Sequence, residues 1–202
     1  MSEQGEKVVL PGPSHMGKHS LEQLLSKRRS IREYSDNALT LIEVGQLLWS
    51  AQGITHPQGY RTAPSAGALY PLELYVVAGN VDGLPGGVYH YQPQQHQLRK
   101  ISDADVRKKL SKAAHSQTWV KAAAAVIIFT ADYDRTTRKY GKRGKRYVHI
   151  EVGHAAQNLF LQSEAMELAT VVVGAFNDHE VIKILGISDD LEALLLMPVG
   201  RK

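Results

Sequence analysis

The architecture of this chain depends most on residues 122–130, Ala-Ala-Ala-Ala-Val-Ile-Ile-Phe-Thr. An uncharged apolar run of this length, with β-branched and aromatic residues in its second half, predicts a buried β-strand. It is too short to cross a membrane as a helix. A long helix is predicted behind it, from about Arg146 to Leu168. The broad stripe of apolar and small residues on this helix implies that it packs on two sides.

Further helices and strands are predicted around this pair. Ser20 is a candidate N-cap, Thr40-Leu41-Ile42-Glu43 forms a capping box, and Gly53 and Gly186 end helices. The remaining predicted helices are Leu21–Lys27, 41–52, Asp103–Ala114 and Asp178–Leu185, and the remaining strands are Leu72–Ala78, Val88–Tyr91, Gln97–Ile101, Thr170–Val173 and Leu194–Val199. Because helices and strands mix without regular alternation, we expect an α+β protein with one mixed sheet. We find no linker or repeat, so we expect one domain over residues 1–202 with an N-terminal arm at 1–18.

The composition excludes several kinds of site. The 202 residues carry a net charge of +4 and no cysteine. This rules out disulfides, thiolate metal sites and cysteine nucleophiles, and it fits a reducing compartment. The N-terminus is polar with no apolar signal segment behind it, so we expect a cytoplasmic protein with no membrane partner.

A cluster of cations, Arg28-Arg29-Ser30-Ile31-Arg32, is the first candidate site. In an extended segment alternate side chains share a face, so Arg28, Ser30 and Arg32 would point the same way and Arg29 away from them. Guanidinium groups match phosphate oxygens in bidentate fashion, which makes a terminal phosphate the natural partner. The alternative is a solvated basic loop.

Two further segments are unusual. Ser65-Ala66-Gly67-Ala68 lies between Pro64 and Pro71 just before a predicted strand, where small residues let the backbone approach a flat ligand closely. Val173-Gly174-Ala175-Phe176-Asn177 leaves a predicted strand and opens a helix, where unpaired amide N–H groups can meet a polar ring edge. The first of these segments is equally well explained as an ordinary tight turn.

In this order and spacing the three segments resemble the nitroreductase family of FMN-dependent oxidoreductases, and within it the branch of SagB-type and ThcOx-type dehydrogenases. The resemblance runs from about Ser20 to Gly200. It also rests on Leu47-Leu48-Trp49-Ser50-Ala51-Gln52-Gly53, Glu151-Val152-Gly153-His154-Ala155-Ala156-Gln157-Asn158 and Met197-Pro198-Val199-Gly200. It implies a nitroreductase-like fold, with a mainly antiparallel sheet flanked by helices in an intertwined homodimer that binds FMN between its subunits.

The resemblance also implies residue roles. Arg28, Ser30 and Arg32, in the cluster with Arg29, would hold the phosphate, and Arg201 would join them. Pro64, Ser65, Ala66 and Gly67 would lie against the isoalloxazine ring from the other subunit, and the backbone of Gly174 and Ala175 would face the flavin N5 edge. Ala68 stands where many nitroreductases carry an Asn that bonds the ring, a departure that the SagB-like branch shares.

Lys139-Tyr140 matches a Lys-Tyr pair that acts in proton removal in azoline-oxidising relatives. The resemblance thus leaves two reactions open: NAD(P)H-driven reduction of a small electron-poor molecule, and oxidation of a peptide azoline. A flavin-storage or sensor protein with little turnover is the alternative of another class. The seven Lys or Arg between Arg135 and Arg146 are of the kind that binds nucleic acid, an anionic substrate or NAD(P)H phosphates. The flavin site accounts for the chain, so we expect no nucleic-acid partner.

A metal site is not expected. Glu151 and His154 have the Glu-x-x-His spacing of di-iron ligands, but the chain holds no second copy. We interpret the two residues as a packing pair on the long helix.

Overall fold

A computed structural model of the chain describes residues 5–202. The strands are β1 (Lys7–Val9), β2 (Leu39–Thr40), β3 (Leu72–Ala78), β4 (Val81–Asp82), β5 (Gly87–Gln92), β6 (Gln97–Ser102), β7 (Ala125–Ala131), β8 (Leu168–Thr170) and β9 (Glu192–Arg201). The helices are α1 (Leu21–Lys27), α2 (Leu41–Gln52), α3 (Arg107–Ala113), α4 (Thr118–Ala122), α5 (Asp134–Tyr140), α6 (Arg143–Ala165) and α7 (Asp178–Leu185). The α+β class is confirmed.

Seven of these strands form one sheet in the order β1-β6-β5-β3-β7-β9-β8. Every pairing described in this sheet is antiparallel. The parallel pairing lies elsewhere, in a two-stranded sheet of β2 and β4. The expectation of a mainly antiparallel sheet is therefore confirmed, whereas its mixed character is not found in the central sheet.

The predicted buried strand is β7, and it lies inside the sheet between β3 and β9. All its residues are buried. Ile127 and Phe129 belong to the core cluster on one face, while Val126 and Ile128 belong to the cluster on the other. Successive side chains of a strand point to opposite faces. A strand covered on both faces therefore has to be apolar at every position, which explains the uninterrupted run.

Helices cover both faces of this sheet. Helices α2 and α6 contribute to one cluster, and α3, α4 and α7 contribute to the other. The capping signals hold: Ser20 and Thr40 each form a capping box, Asn177 caps α7, and Gly186 ends α7 in the left-handed conformation. The bounds predicted for α1, α2, β3 and α7 agree with the structure.

Some predicted boundaries are wrong for local reasons. The helix predicted at Asp103–Ala114 begins only at Arg107, because the Ser102 and Asp105 side chains accept the N–H groups of Ala104 and Arg107 and hold turns before it. A separate helix, α4, occupies the first alanine of the predicted strand. The strand predicted at Thr170–Val173 is β8, three residues long and two positions earlier. The basic segment 135–146, for which no element was predicted, lies in α5 and the first turn of α6, with a turn at Gly141 and Lys142 between them.

Within the described residues, the N-terminal arm contacts two elements of the fold, β6 and α2. Strand β1 pairs with β6 at the sheet edge. Farther along, the backbone of Ser14 exchanges hydrogen bonds of 2.8 and 3.0 Å with the side chain of Gln46 on α2. The rest of the arm prediction, residues 1–4, lies outside the described part. Over residues 5–202 we find no helix of the length and apolarity that a membrane span requires.

Candidate functional site

The arginine cluster lies where α1 ends. Arg28 is the C-cap of α1, and the chain then runs extended, with the Ile31 N–H donating to the carbonyl of Thr170 at 2.9 Å. The guanidinium of Arg28 lies 4.9 Å from the ring centre of Phe160 on α6, and that of Arg32 lies 5.4 Å from the ring centre of Trp119 on α4. Aromatic faces attract such cations. The two guanidinium groups are thus each held on a separate ring, with Ser30 exposed between them.

Arg29 behaves differently from its neighbours. Its Nη1 donates to the carbonyl oxygens of Ser26 at 3.0 Å and Arg28 at 2.8 Å, at the C-terminal end of α1. A cation at this position also interacts favourably with the helix dipole. The guanidinium of Arg29 is therefore turned back onto α1.

Gly174 and Ala175 lie beyond β8 on an exposed stretch of backbone. The stretch is held at its ends: Val173 forms a bridge with Leu196 of β9, and Asn177 donates its N–H to the carbonyl of Ala113 at 2.9 Å. The Gln117 side chain donates to the carbonyl of Ala175 at 2.9 Å. A Cβ built on Gly174 would meet nothing within 4 Å, so this backbone is open to a ligand.

The loop from Arg61 to Pro71 has an unusual backbone. A 3-10 turn covers Ala66–Ala68, and positive φ angles occur at Gly67 (64°), Ala68 (53°) and Tyr70 (47°). Two of these are not glycine, and such residues persist only where surrounding contacts hold them. One such contact is the Tyr70 N–H, which donates to the Ser65 hydroxyl at 2.9 Å. The loop is thus a strained, constrained surface of small residues.

Lys139 and Tyr140 lie directly against this loop. A Cβ built on Gly67 would be 2.8 Å from the Tyr140 hydroxyl and 3.0 Å from the Lys139 Nζ. The sheet register causes this: Leu72 at the start of β3 pairs with Ala131 at the end of β7, so the loop before β3 and the helix after β7 meet. The Tyr140 ring also contacts Tyr147 edge-on, at 5.1 Å between ring centres. Two candidate segments about 70 residues apart are therefore brought together within one chain.

Arg201, at the end of β9, is engaged inside the chain. Its Nη2 lies 2.9 Å from a carboxylate oxygen of Glu43, and its Nε donates to the carbonyl of Ala38 at 2.9 Å. The same Glu43 oxygen accepts the Thr40 N–H of the capping box at 2.7 Å. Arg201 therefore joins the C-terminal strand to the start of α2.

A buried carboxyl under the loop was missed by sequence reasoning. Glu151 of α6 is 2% exposed, and the Ser65 hydroxyl donates a hydrogen bond to it. Burial raises the pKa of Glu151 to about 7, against the opposing effects of the Ser65 hydrogen bond and the Arg61 charge. The signal was present: Glu151 falls between Val148, Val152 and Ala155 on the buried stripe of α6.

The packing-pair interpretation of Glu151 and His154 is wrong. Glu151 is buried, whereas His154, about 60° farther round α6, is exposed, so the two side chains are not packed together in the core. Across residues 5–202 no cluster of three or more His, Asp or Glu side chains could hold a metal ion.

The candidate residues fall into two groups along α6. Ser65 contacts α6 at Glu151, and Arg28 contacts it at Phe160. These helix positions are nine residues apart (160 − 151), which places them about 13 Å apart along the axis and on opposite sides of the helix. One chain therefore carries its cationic segment and its small-residue loop on two different faces.

Known proteins resemble this chain over most of its length. The nitroreductase family model matches residues 25–201. A Methanocaldococcus jannaschii protein named "Putative nitroreductase MJ1384" is 50% identical over 182 residues, covering 90% of this chain and 91% of its own. The Escherichia coli microcin B17-processing protein McbC is 26% identical over 206 residues (96% and 75% covered), and the Bacillus subtilis FMN reductase (NADPH) is 23% identical over 197 residues (91% and 66%).

The fold is likewise found in a solved structure. A Ralstonia eutropha JMP134 protein described as a "putative nitroreductase" superposes with a TM-score of 0.85 at 28% identity, covering 96% of this chain and 89% of that one. The family match extends over most of the chain, and the nitroreductase-like fold is confirmed. The chain belongs to the nitroreductase family.

Proposed function

We propose that this chain is an FMN-dependent oxidoreductase that passes a hydride through the flavin N5 atom. The observation that carries the proposal is the pair of surfaces on α6: an exposed cationic segment suited to a phosphate, and a constrained loop of small residues suited to a flat ring. The similarity to an FMN reductase supports it. When bound, FMN supplies the redox chemistry, and the protein supplies binding, orientation and electrostatics.

The residues present fit this cofactor. In the proposed site Arg28, Ser30 and Arg32 bind the phosphate, and the exposed backbone of Gly174 and Ala175 faces the N5 edge of the ring. Arg201 joins the phosphate only if its guanidinium leaves Glu43 or is shared with it. Pro64, Ser65, Ala66 and Gly67 cover the ring, where side chains larger than these would fill the space of the ligand.

We further propose that the site is completed by a second copy of the chain. The cationic segment and the loop lie on opposite sides of α6, so in a homodimer the loop of one subunit can face the cations of the other. Large apolar side chains are exposed on the elements beside this helix, including Leu21, Leu25 and Ile42. Exposed apolar side chains of this kind are typical of protein interfaces.

The test of cofactor binding is an FMN titration of the purified protein followed by flavin fluorescence. Arg28→Ala and Arg32→Ala are expected to weaken FMN binding by about 1.5–3 kcal/mol each, the range for a hydrogen bond to a charged group. Arg29→Ala is the matched control, because its guanidinium is turned onto α1, and its affinity should stay near that of the wild type. Wild-type protein that takes up no FMN would refute the proposal.

A mixing experiment tests the shared site. Protein with both Arg28→Ala and Arg32→Ala, and protein with Ala66→Trp, should each bind little FMN. In a mixed dimer one site joins the intact arginines of one chain to the intact loop of the other. After random exchange of subunits about a quarter of all sites should therefore regain binding, by the statistics of a two-subunit assembly. No recovery in dimers that have exchanged subunits would show that each site lies within one chain.

The placement of Lys139 and Tyr140 against Gly67 favours one particular reaction as a second candidate. Oxidation of a peptide azoline requires a base near the ring, and the Lys139 amine lies against the loop that would cover that ring. The similarity to the microcin B17-processing protein supports a peptide substrate. The first candidate remains an NAD(P)H-dependent reductase or SagB-type dehydrogenase acting on a small electron-poor molecule.

Lys139→Ala distinguishes these reactions. It should slow azoline oxidation without releasing flavin, and it should leave reduction of a quinone by NADPH unchanged. Lys142→Ala, a neighbouring exposed cation at the N-cap of α6, is the control and should affect neither. If no electron donor reduces the bound flavin and no substrate reoxidises it, the result would instead favour a storage or sensor protein with little turnover.

A further inference from the structure

A set of buried polar groups lies beneath the small-residue loop and has no part in the proposed chemistry. Among the described residues, three of its atoms lack a hydrogen-bond partner: Glu151 Oε1, Gln52 Nε2 and Arg61 Nε. Gln52 is 1% exposed, Glu151 is 2% exposed and Arg61 is half-buried. Unsatisfied buried polar atoms are costly, so each one needs an explanation.

Glu151 is connected to the loop backbone through a single side chain. The Ser65 hydroxyl donates to the Glu151 carboxylate and accepts the Tyr70 N–H at 2.9 Å. Ser65 and Tyr70 enclose the 3-10 turn and its positive-φ residues. The hydrogen bonds from Glu151 to Ser65 and from Ser65 to Tyr70 thus tie the conformation of the loop to a carboxyl on α6.

We propose that Glu151 is a positioning residue whose proton controls how tightly the loop from Pro64 to Tyr70 is held against α6. With the proton in place, a neutral carboxyl fits the buried site and the loop stays closed. When the proton leaves, a charge is buried with one oxygen unpaired, and the state in which the loop lifts and water reaches Glu151 is favoured.

The charges around Glu151 do not remove the free-energy cost of burying its ionised carboxylate. Arg61 of the loop is the cation that faces it, and Arg61 is itself close to Glu73 of β3 and Arg135 of α5. Glu73 already pairs with Arg135 and His90, so the neighbouring cations are shared among several groups. The net effect is the raised pKa of Glu151, about 7. Because this pKa lies above the 4.5 of a solvated glutamate, the open state of the loop is increasingly favoured as the pH rises from about 4.5 to 7, and the balance no longer changes above pH 7.

The inference rests on the proposed function for its consequence: if the loop covers the flavin ring, its hold on the ring weakens as the pH rises from about 4.5 to 7. The mechanism itself can be tested without flavin, because the Tyr70 amide reports directly on the loop. Its hydrogen-exchange protection, corrected for the intrinsic pH dependence of exchange, should fall by up to about tenfold per pH unit between about pH 4.5, the ordinary pKa of a glutamate, and pH 7, and should level off above pH 7. The Asn177 amide, bonded to Ala113 elsewhere, should not change.

Two variants decide whether Glu151 is responsible. Glu151→Gln has nearly the same shape and cannot ionise, so the protection of Tyr70 should no longer depend on pH. Glu164→Gln, on the same helix with its carboxylate paired to Lys202, should keep the wild-type profile. Should Glu151→Gln fail to fold, Ser65→Ala serves instead, and it should leave the Tyr70 amide weakly protected at every pH.

A pH-independent Tyr70 amide in the wild type would overturn the inference, and so would an unchanged slope in Glu151→Gln or a protected, pH-dependent amide in Ser65→Ala. An FMN titration of the same proteins reports separately on the proposed function. Failure to bind flavin would leave the exchange result standing.

Discussion

Gly144 is the position where helix propensity and packing predict opposite effects. It lies in the first turn of α6, where exchanging glycine for alanine ordinarily stabilises a helix by about 1 kcal/mol. A Cβ at this position would, however, lie 2.9 Å from the Cα of Thr137, 3.0 Å from its N and 3.1 Å from the carbonyl carbon of Thr136. These are backbone atoms of α5, so Gly144→Ala can be accommodated only if the two helices separate.

The packing cost should exceed the gain in propensity. Overpacking of a tight contact costs about 1–3 kcal/mol, and contact with three backbone atoms places this site in the upper half of that range. After the gain of about 1 kcal/mol is subtracted, Gly144→Ala should lower the free energy of unfolding by about 1–2 kcal/mol. In a chain of this length that corresponds to a fall in Tm of about 2–8 °C.

Gly45 provides the matched control. It is also a buried glycine inside a helix, α2, but its Cβ would meet Leu10 at 3.4 Å, an ordinary contact. Gly45→Ala should therefore raise the free energy of unfolding by about 0.5–1 kcal/mol. Urea unfolding of both variants at one protein concentration measures the difference. Equal stabilisation by both substitutions would refute the argument that the close approach of α5 and α6 requires a glycine.

Other predictions concern capping and pH. Thr40→Ala should cost about 1 kcal/mol, because the Thr40 hydroxyl caps α2; Ser20→Ala, in a helix with no buried residue, should cost less, and urea unfolding at pH 7 compares them. Burial raises the pKa of Glu73, but the His90 hydrogen bond and Arg135 outweigh this and lower it. Its stabilising effect is then complete above pH ~4.5 and lost as the pH falls through the lower folded-state pKa. Urea unfolding from pH 3 to 6 should show a weaker acid-side loss of stability in Glu73→Gln than in the wild type, and parallel curves would contradict this.

The sequence was most informative where the decisive forces act between near neighbours. The capping boxes at Ser20 and Thr40, and the glycine stop at Gly186, follow from hydrogen bonds within a few residues. Predicted boundaries were wrong where side chains compete with the helix for backbone N–H groups, as those of Ser102 and Asp105 do before α3. They also failed at β8, because an apolar run gives no register of its own and its pairing partner β9 selects which residues form the strand.

The candidate residues show the same division. The residue types of the candidate site could be recognised from the sequence, because guanidinium groups suit a phosphate and small residues suit a flat ring. Their mutual arrangement could not, because it depends on contacts distant in sequence. Glu151 illustrates the limit: its position on the buried stripe was visible, but its partner Ser65 is about 86 residues away. A sequence pattern cannot identify which polar group accompanies a buried carboxyl.

By itself the sequence therefore determined the α+β class, the buried central strand and the ends of α1, α2 and α7, because period and capping are properties of adjacent residues. Tertiary structure alone decided that Lys139 and Tyr140 lie against Gly67, and that the cationic segment and the loop lie on opposite sides of α6. The physical reason is the antiparallel register of β3 and β7, which pairs Leu72 with Ala131 and so joins the loop before one strand to the helix after the other.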